Sequence, residues 1–427
     1  MIIPAFYALL LALPVLLLGE WFNHRIAFLS KFSIPPPMAG GIVVATIVFI
    51  YNLSGYSHLS FSIETDASWW TWLISSEIEW FTHPAKNIHL PFLMIFFTSI
   101  GMNASWALVK KGSYQVALFW MIALGLAIMQ NVLAVGIAIG LGEHPLMGLI
   151  CGSASMTGGH GTALGFATKF EEFGLEGANV IGAASATFGL IIGGLLGAPL
   201  GSILIRRHKL EKHPEISDTI HLESGESAPA GILQDIYALM KMPMATLKHI
   251  LMFLVVIKLG VWLSYYLKSL GVTFPVYIGS MIVAVALRNI LEAFNLNWID
   301  TEIVDIIGGV CLNIFLAVAL LSIDFMDLLG SALPMIIILV CQTCMTAFVT
   351  YFITIRVMGK DYEAAVMSAG FYGFTMGAVP NALANMRIIV EKYGPAPRAF
   401  LVIPLVGAFL IDFTNALNIT FFMNFFK

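Results

Sequence analysis

Apolar stretches separated by short groups of charged or turn-forming residues follow one another along almost the whole chain. Apolar runs of roughly 18 residues predict membrane-spanning helices. Ten such spans are predicted, at residues 2–19, 36–51, 88–108, 114–140, 178–204, 249–267, 273–287, 306–322, 332–355 and 399–425. Two further apolar stretches, 146–168 and 363–385, contain glycine, proline or polar residues near their middles. These interruptions favour re-entrant hairpins over full crossings, so the pattern predicts an all-α polytopic membrane protein with ten transmembrane helices and two hairpins.

The composition agrees with a membrane protein and excludes several other classes. Of the 427 residues, 59% are hydrophobic and 11% are charged, whereas soluble domains have roughly 45–50% and about 25%. The net charge of −4 provides no basic surface, so we expect no nucleic-acid partner. We also expect no enzymatic activity, because the sequence contains neither an HExxH nor a GxSxG motif.

The distribution of lysine and arginine predicts the orientation of the chain. If the N-terminus lies outside and each of the ten spans crosses once, the C-terminus also lies outside. The outer segments then contain Lys86, Lys169, Lys268 and Lys427, and Lys258 lies within a span. The remaining sixteen of the 21 basic residues fall on the inner side, as the positive-inside rule requires.

Two segments outside the spans are notable. Residues 205–247 are the only long polar stretch in the sequence and are predicted to form a cytoplasmic linker. Residues 66–82 are rich in tryptophan, and Trp69, Trp72 and Trp80 fall on one face of a predicted helix. Such a helix is expected to lie at the outer membrane surface, with an ordinary packed loop as the alternative.

The two halves of the chain, residues 1–204 and 248–427, resemble each other at a nearly constant offset. Three pairs of glycines are each 218 residues apart, namely Gly152 with Gly370, Gly159 with Gly377, and Gly189 with Gly407. Each half contains five predicted crossings, an odd number, so the second half must enter from the opposite face. This predicts an inverted-topology (5+5) repeat whose hairpins meet near the midplane, the plan of many secondary transporters.

The first hairpin tip, Ser153–Thr162, combines four hydroxyl residues with three glycines inside an apolar stretch. Glycines let backbone N–H groups converge on an anion, and the half-helix that follows points its positive end at the same place. We therefore interpret this tip as a binding site, with close packing of helices through small residues as the alternative. His160 is a candidate for polarising a carboxylate or carrying a proton, although a histidine bonded to the backbone is the commoner outcome.

The second tip, Gly370–Asn381, is followed by Asn385. Pro380 is expected to free a backbone carbonyl, and carbonyl and amide oxygens suit Na⁺, although a plain proline kink is the alternative. Gln130 and Gln342 occupy matching positions in the spans that precede the two hairpins. They are predicted either to join helices by hydrogen bonds or to contact the solute.

Asp412 lies near the middle of the predicted last span, 399–425, and is followed by Asn415 and Asn418. A carboxylate at this depth is costly, so it is a functional hypothesis by default. Coupling to an ion or to the substrate is one role for it. The rival role is an ion pair with Lys258, whose own function the sequence leaves open.

Four segments of the sequence closely resemble the bacterial glutamate:sodium symporter family: GSASMTGGHGTA, ATFGLIIGGLLGAP, GFTMGAVPNALANM and PLVGAFLIDFTNAL. The resemblance covers nearly the whole chain. It implies Na⁺-coupled uptake of L-glutamate by a homodimer in the lipid of the bacterial inner membrane. It also implies an elevator mechanism, in which a mobile domain carries the hairpins past a dimeric scaffold.

The resemblance places the solute between the two hairpin tips. The substrate-binding residues are then Ser155, Thr157, Gly158, Gly159, His160, Gly161, Thr162, Gly377, Ala378, Val379, Pro380 and Asn381. The residues assigned to sodium coupling are Asp412, Asn415, Asn385, Gln130 and Gln342, and no other metal is expected. Phe371 and Tyr372 are bulkier than the pair usual in the family, so a related anion, aspartate or a dicarboxylate, is the alternative substrate. A passive channel is a further alternative that would need no coupling ion.

Overall fold

The computed structural model describes residues 2–32, 34–53, 59–82, 85–105, 114–210, 231–270, 275–322 and 332–426. Within these ranges the chain is helical apart from loops and one short parallel pairing of Ile2–Ile3 (β1) with Ser60–Phe61 (β2). The helices of the first half are α1 (Ala5–Arg25), α2 (Ala27–Lys31), α3 (Pro36–Leu53), α4 (Ser68–Ile74), α5 (Glu77–Thr82), α6 (Leu90–Asn103), α7 (Tyr114–Gly140), α8 (Pro145–Ala154), α9 (Gly159–Glu172) and α10 (Ala178–His208). Those that follow are α11 (Ile232–Lys241), α12 (Pro243–Ser269), α13 (Val276–Ala293), α14 (Thr301–Leu321), α15 (Ala332–Val357), α16 (Tyr362–Thr375), α17 (Val379–Tyr393), α18 (Pro397–Leu405) and α19 (Ile411–Phe426).

Eight helices in the described part of the chain are long and apolar enough to cross a membrane: α1, α3, α7, α10, α12, α13, α14 and α15. They coincide with eight of the ten predicted spans and confirm a polytopic helical membrane protein. Predicted span 88–108 corresponds to α6, which has 14 residues. Predicted span 399–425 corresponds to α18 and α19, joined by the π-helical turn Val406–Leu410. The count of ten crossings stays a prediction.

Each of the two interrupted apolar stretches forms two helices separated by a break. In the first, α8 ends in a π-helical turn in which Gly152 departs from helical geometry, and α9 begins at Gly159 with a positive φ of 63°. In the second, α16 ends at Thr375 and α17 begins at Val379, with Pro380 in its first turn. A proline fits there because the first-turn N–H groups have no partner within the helix. Pro380 therefore helps to begin a new helix, and its interpretation as a kink in a continuous helix is wrong.

Glycines allow very close helix crossings at matching places in the two halves. A Cβ atom on Gly40 of α3 would lie 2.0 Å from the carbonyl oxygen of Val15 in α1. A Cβ atom on Gly279 of α13 would lie 2.4 Å from the carbonyl oxygen of Gly260 in α12. Backbone approach of this kind is how helices pack in lipid, where no hydrophobic driving force joins them.

The described helices that pack on one another form two groups. The first, called here the outer group, contains α1, α3, α6, α12, α13 and α14, in which α6 packs against both α13 and α14. The second, the core group, contains α7 to α10 and α15 to α19, in which α10 packs against α9, α16 and α17. The core group contains both broken helix pairs and is therefore the part of the molecule in which the candidate site lies.

The tryptophan-rich segment differs in detail from its prediction. It forms α4 and α5 with a break at Ser75–Ser76, so Trp80 does not continue the helical face of Trp69 and Trp72. Lys258 of α12 lies at this break. Its Nζ donates to the carbonyl oxygens of Trp72 and Ser75, both at 2.8 Å. The same ammonium lies 3.2 Å from the carboxylate of Glu77 and 4.1 Å from the Trp72 ring centre.

Lys258 is thus a structural clamp between α12 and the tryptophan-rich segment. Its predicted alternative pairing with Asp412 is wrong, because its charge is already balanced by Glu77 and its donors are satisfied by backbone. The predicted linker, 205–247, begins inside α10 and contains α11 and the start of α12, while residues 211–230 lie outside the described residues.

Candidate functional site

The two helix breaks meet at glycines that the sequence repeat pairs with each other. A Cβ atom added to Gly159 would lie 3.1 Å from the carbonyl oxygen of Gly377. The positive φ of Gly159 also disfavours any other residue at this point. The prediction that the two tips come together is confirmed at the level of backbone contact.

Gln130 of α7 connects both tips through its side-chain amide. Its Oε1 accepts from the Thr157 hydroxyl at 2.7 Å, and its Nε2 donates to the carbonyl oxygen of Thr375 at 3.0 Å. Its backbone carbonyl accepts from Nε2 of Gln342 at 2.7 Å. All four residues are buried, so these bonds form where water cannot substitute for them. Gln130 therefore joins the two tips directly, and Gln342 supports it through its backbone.

A second polar group surrounds Ser153 at the end of α8. The Ser153 N–H donates to Oδ1 of Asn131 at 2.9 Å, and the Ser153 carbonyl accepts from Nδ2 of Asn415 at 3.0 Å. The Ser153 hydroxyl and Oδ1 of Asn415 are buried and have no hydrogen-bond partner. Nδ2 of Asn131 is likewise buried without a partner, so this cluster has both oxygens and an N–H group that a bound ligand could satisfy.

The second tip is held against α10 by asparagine amides. Nδ2 of Asn381 donates to the carbonyl of Leu190 at 2.7 Å, and Nδ2 of Asn385 donates to the carbonyl of Gly193 at 2.9 Å. The contact requires a glycine at 189, since a Cβ there would lie 2.3 Å from the carbonyl oxygen of Met376. Oδ1 of Asn385 is buried without a partner.

His160 of α9 is tethered to α10. Its Nε2 lies 3.0 Å from the Thr187 hydroxyl, which itself donates to the carbonyl of Ala183 at 2.8 Å. Because the single hydroxyl proton is used by Ala183, His160 must donate through Nε2. This arrangement fixes the orientation of the ring beside the first tip.

The remaining predicted substrate residues lie along the two tips. The Ser155 hydroxyl donates to the carbonyl of Ile150 at 2.5 Å, and the carbonyl of Gly182 lies farther away at 3.3 Å. Gly161 packs against Phe96 and Leu312 of the outer group. The first turn of α9 includes His160, Gly161 and Thr162, and N–H groups in a first turn are not used by the helix itself.

The residues of the two tips differ in burial. Pro380 is exposed, Ala378, Val379 and Gly158 are half-buried, and Thr157 and Thr162 are buried.

Asp412 lies directly after the π-helical turn that joins α18 to α19. It is half-buried, and none of the described residues forms a hydrogen bond or ion pair with it. The π-helical turn lies beside the second tip, since a Cβ on Gly407 would be 2.4 Å from Cγ2 of Val379. Asp412 therefore places a carboxyl group just beyond the turn that packs on the second tip, and no described lysine, arginine or histidine pairs with it.

Thr187, which holds the His160 ring, had no role predicted from the sequence. Nothing in the sequence pattern distinguishes it from a packing residue. Phe371 and Tyr372 were predicted to add bulk beside the second tip. Both are fully buried in the core group, and Phe371 meets the Phe119 ring edge to face at 5.4 Å between centres.

A cluster of buried polar groups where two pairs of broken helices meet inside an apolar helical bundle is the arrangement of a secondary transporter. The relatives of the chain specify the family. The sequence model of the family described as sodium/glutamate symporter matches residues 1–395. A sodium/glutamate symporter of Haemophilus influenzae is 35% identical over 409 residues, which cover 96% of this chain and 94% of the relative. A sodium/glutamate symporter of Escherichia coli is 34% identical over 416 residues, covering 97% of this chain and 96% of the relative. The chain therefore belongs to the sodium/glutamate symporter family, and its relatives are transporters, not enzymes.

Proposed function

We propose that this protein imports L-glutamate together with Na⁺ across the bacterial inner membrane. The observation that carries the proposal is the contact of the two tips at Gly159 and Gly377, with Gln130 bonded to both. The names of the relatives in Haemophilus influenzae and Escherichia coli support the same solute and the same coupling ion.

The glutamate carboxylates are proposed to bind at the first turn of α9. A helix N-terminus carries a partial positive charge and N–H groups that the helix does not use. In α9 these groups belong to His160, Gly161 and Thr162, and His160 adds a fixed ring beside them. The half-buried Ala378 and Val379 of the second tip would cover the solute from the other side.

Sodium is proposed to bind at the oxygens that have no protein partner. Oγ of Ser153 and Oδ1 of Asn415 are neighbours through the Ser153 backbone, and Oδ1 of Asn385 is a further candidate. Asp412 lies one helical turn before Asn415 and supplies negative charge. Import of an anionic solute needs a coupled cation, because moving one negative charge against an inside-negative membrane potential costs about 2.3 kcal/mol per 100 mV.

Alternating access is proposed to be an elevator movement of the core group past the outer group. The two groups would be built from inverted repeats at residues 1–204 and 248–427, with both termini outside and residues 205–247 cytoplasmic. The matched close crossings of α1 with α3 and of α12 with α13 support a repeated outer group. Family resemblance supports a homodimer through that group.

The test is uptake of radiolabelled L-glutamate into proteoliposomes with an inward Na⁺ gradient, and then with K⁺ in place of Na⁺. Concentrative uptake with Na⁺ alone is the expected result. A competition series with aspartate and dicarboxylates identifies the preferred anion. Equal uptake in both salts would identify a passive channel instead, and no uptake by folded protein would rule out glutamate as the solute.

A further inference from the structure

A row of polar side chains on α15 contains three oxygen atoms that no contact described above uses. Gln342, Thr346 and Thr350 are spaced four residues apart, so they share one face of the helix. All three are fully buried, at 0% exposure. Oε1 of Gln342 and the hydroxyls of Thr346 and Thr350 have no hydrogen-bond partner.

Thr346 and Thr350 differ from most threonines in the described helices, and Thr98 of α6 is the one other helical threonine there with a buried hydroxyl that has no partner. A helical threonine usually satisfies its hydroxyl by donating to the carbonyl four residues earlier. Thr343 of the same helix donates to Leu339 at 2.9 Å, and Thr375 and Thr420 donate to Phe371 and Ala416 at 2.7 and 2.8 Å. An unsatisfied buried hydroxyl costs about 1–3 kcal/mol, so two in succession indicate that something other than protein satisfies them.

The first half of the chain shows that packing does not require hydroxyls here. Gln130 of α7 matches Gln342, and the next two positions on its face are Ala134 and Ala138. Both alanines are fully buried. The same face is therefore compatible with methyl groups, and the threonines of α15 are an addition specific to the second half.

The row begins at the candidate site. Nε2 of Gln342 donates to the backbone carbonyl of Gln130, which is bonded to both tips. The helix also packs against the π-helical turn Ile150–Ala154 that contains Ser153. From Gln342 to Thr350 the row extends about 12 Å at 1.5 Å per residue, and it ends where the π-helical turn Thr350–Thr354 begins.

We propose that the hydroxyls of Thr346 and Thr350 bind Na⁺, with the amide oxygen of Gln342 one turn nearer the tips. The Cβ atoms of residues four apart on a helix are about 5–6 Å apart, so one ion fits between the two hydroxyls. Neutral oxygens without a carboxylate suit a monovalent hard cation, because divalent cations are bound in proteins through carboxylates. This site uses different ligands from the Ser153 and Asn415 oxygens, and it rests on the proposed function in that Na⁺ is the coupling ion.

The experiment is binding of radioactive Na⁺ to the purified full chain without glutamate, compared between the unaltered protein and Thr346→Val/Thr350→Val. The double change keeps the shape of both side chains and removes both oxygens. We expect the Na⁺ concentration for half-saturation to rise at least about tenfold, the equivalent of about 1.4 kcal/mol. Thr343→Val is the matched control, since its hydroxyl is satisfied by Leu339, and it should leave binding unchanged.

A second variant distinguishes loss of the hydroxyl oxygens from misfolding of the protein. Thr346→Ser/Thr350→Ser retains both hydroxyls and should bind Na⁺ within about threefold of the unaltered chain, well below the tenfold loss that corresponds to 1.4 kcal/mol. A Na⁺ titration of the valine variant that coincides with that of the unaltered chain would overturn the proposal, as would loss of binding in the serine variant. Glutamate uptake measured in parallel separates the two proposals: Na⁺ binding that depends on Thr346 and Thr350 without Na⁺-driven uptake would refute the proposed function alone.

Discussion

The two tips occupy matching positions in the two halves, yet their chemistry differs. The first tip is rich in hydroxyls, and Thr157, Ser153 and His160 each make a side-chain or backbone bond to a polar partner. The second tip is mainly apolar and is joined to its surroundings through the carbonyl of Thr375 and the amide of Asn381.

The shared feature of the tips is the glycine spacing, which permits backbone contact at Gly159 and Gly377. The difference is in what surrounds that contact. The first tip carries buried polar groups, whereas the second packs closely against α10 and is held there by asparagine amides. Two segments with the same glycine spacing can thus differ in the chemistry of their side chains.

The largest loss of glutamate uptake is expected for a substitution where the second tip packs against α10. Gly189→Ala places a Cβ 2.3 Å from the carbonyl oxygen of Met376, and a backbone atom cannot move aside as a flexible side chain can. We expect glutamate uptake to fall about ten- to a hundredfold, since overpacking of this kind costs about 1–3 kcal/mol and each 1.4 kcal/mol is a factor of ten. Gly136→Ala is the control, because no atom lies within 4 Å of a Cβ there. Normal uptake by Gly189→Ala would contradict the close fit of the second tip.

The second-largest effect is expected when the hydrogen bonds that join the two tips are removed. The same substitution, glutamine to methionine, is made at the two matched residues Gln130 and Gln342. Gln130→Met removes bonds to Thr157 and Thr375, while Gln342→Met removes one bond to the Gln130 backbone. Leaving buried polar partners unsatisfied costs about 1–3 kcal/mol each, so Gln130→Met should lower the melting temperature more than Gln342→Met. Uptake does not serve this comparison, because Gln342 is also a proposed Na⁺ ligand. Equal losses of melting temperature would show that the two glutamines contribute equally to joining the tips.

A smaller and more specific effect is expected at Asp412. Asp412→Asn keeps the shape and removes the charge, so the Na⁺ concentration for half-maximal uptake should rise about tenfold, equivalent to about 1.4 kcal/mol. The melting temperature should change little, because Asp412 has no ion pair among the described residues to lose. Asp66→Asn is the control, since this side chain is exposed and pairs with Lys86 at 2.6 Å. An unchanged dependence of uptake on Na⁺ concentration would show that Asp412 is not a Na⁺-coupling residue.

The smallest effect is expected at His160 if its ring serves as a fixed donor. His160→Gln retains an N–H that can reach Thr187, so uptake should stay within about fivefold of the unaltered chain, as expected for one retained neutral hydrogen bond. The pH profile of uptake between pH 6 and 8 should be the same in both proteins. A pH dependence present in the unaltered chain and absent in the variant would show that His160 carries a proton.

Much of the fold could be predicted because its causes are local. Apolar runs long enough to cross a membrane are visible in the sequence, and eight of the ten predicted spans correspond to long apolar helices. Both breaks could be predicted from the same stretches, since glycines and a proline interrupt the helical pattern there. The pairing of Gly159 with Gly377 also followed from their common offset.

What the sequence by itself determined, then, is where the helices lie, where they break and which residue types collect at the breaks. Only the tertiary structure decided which partner each polar side chain takes. Lys258 is held by Trp72, Ser75 and Glu77 and not by Asp412, and His160 is held by Thr187. The physical reason is that helix formation follows from the apolar pattern of residues close together in the sequence. A buried hydrogen bond instead joins residues far apart in the sequence, and it forms only where close helix packing, here through glycines, brings their backbones together.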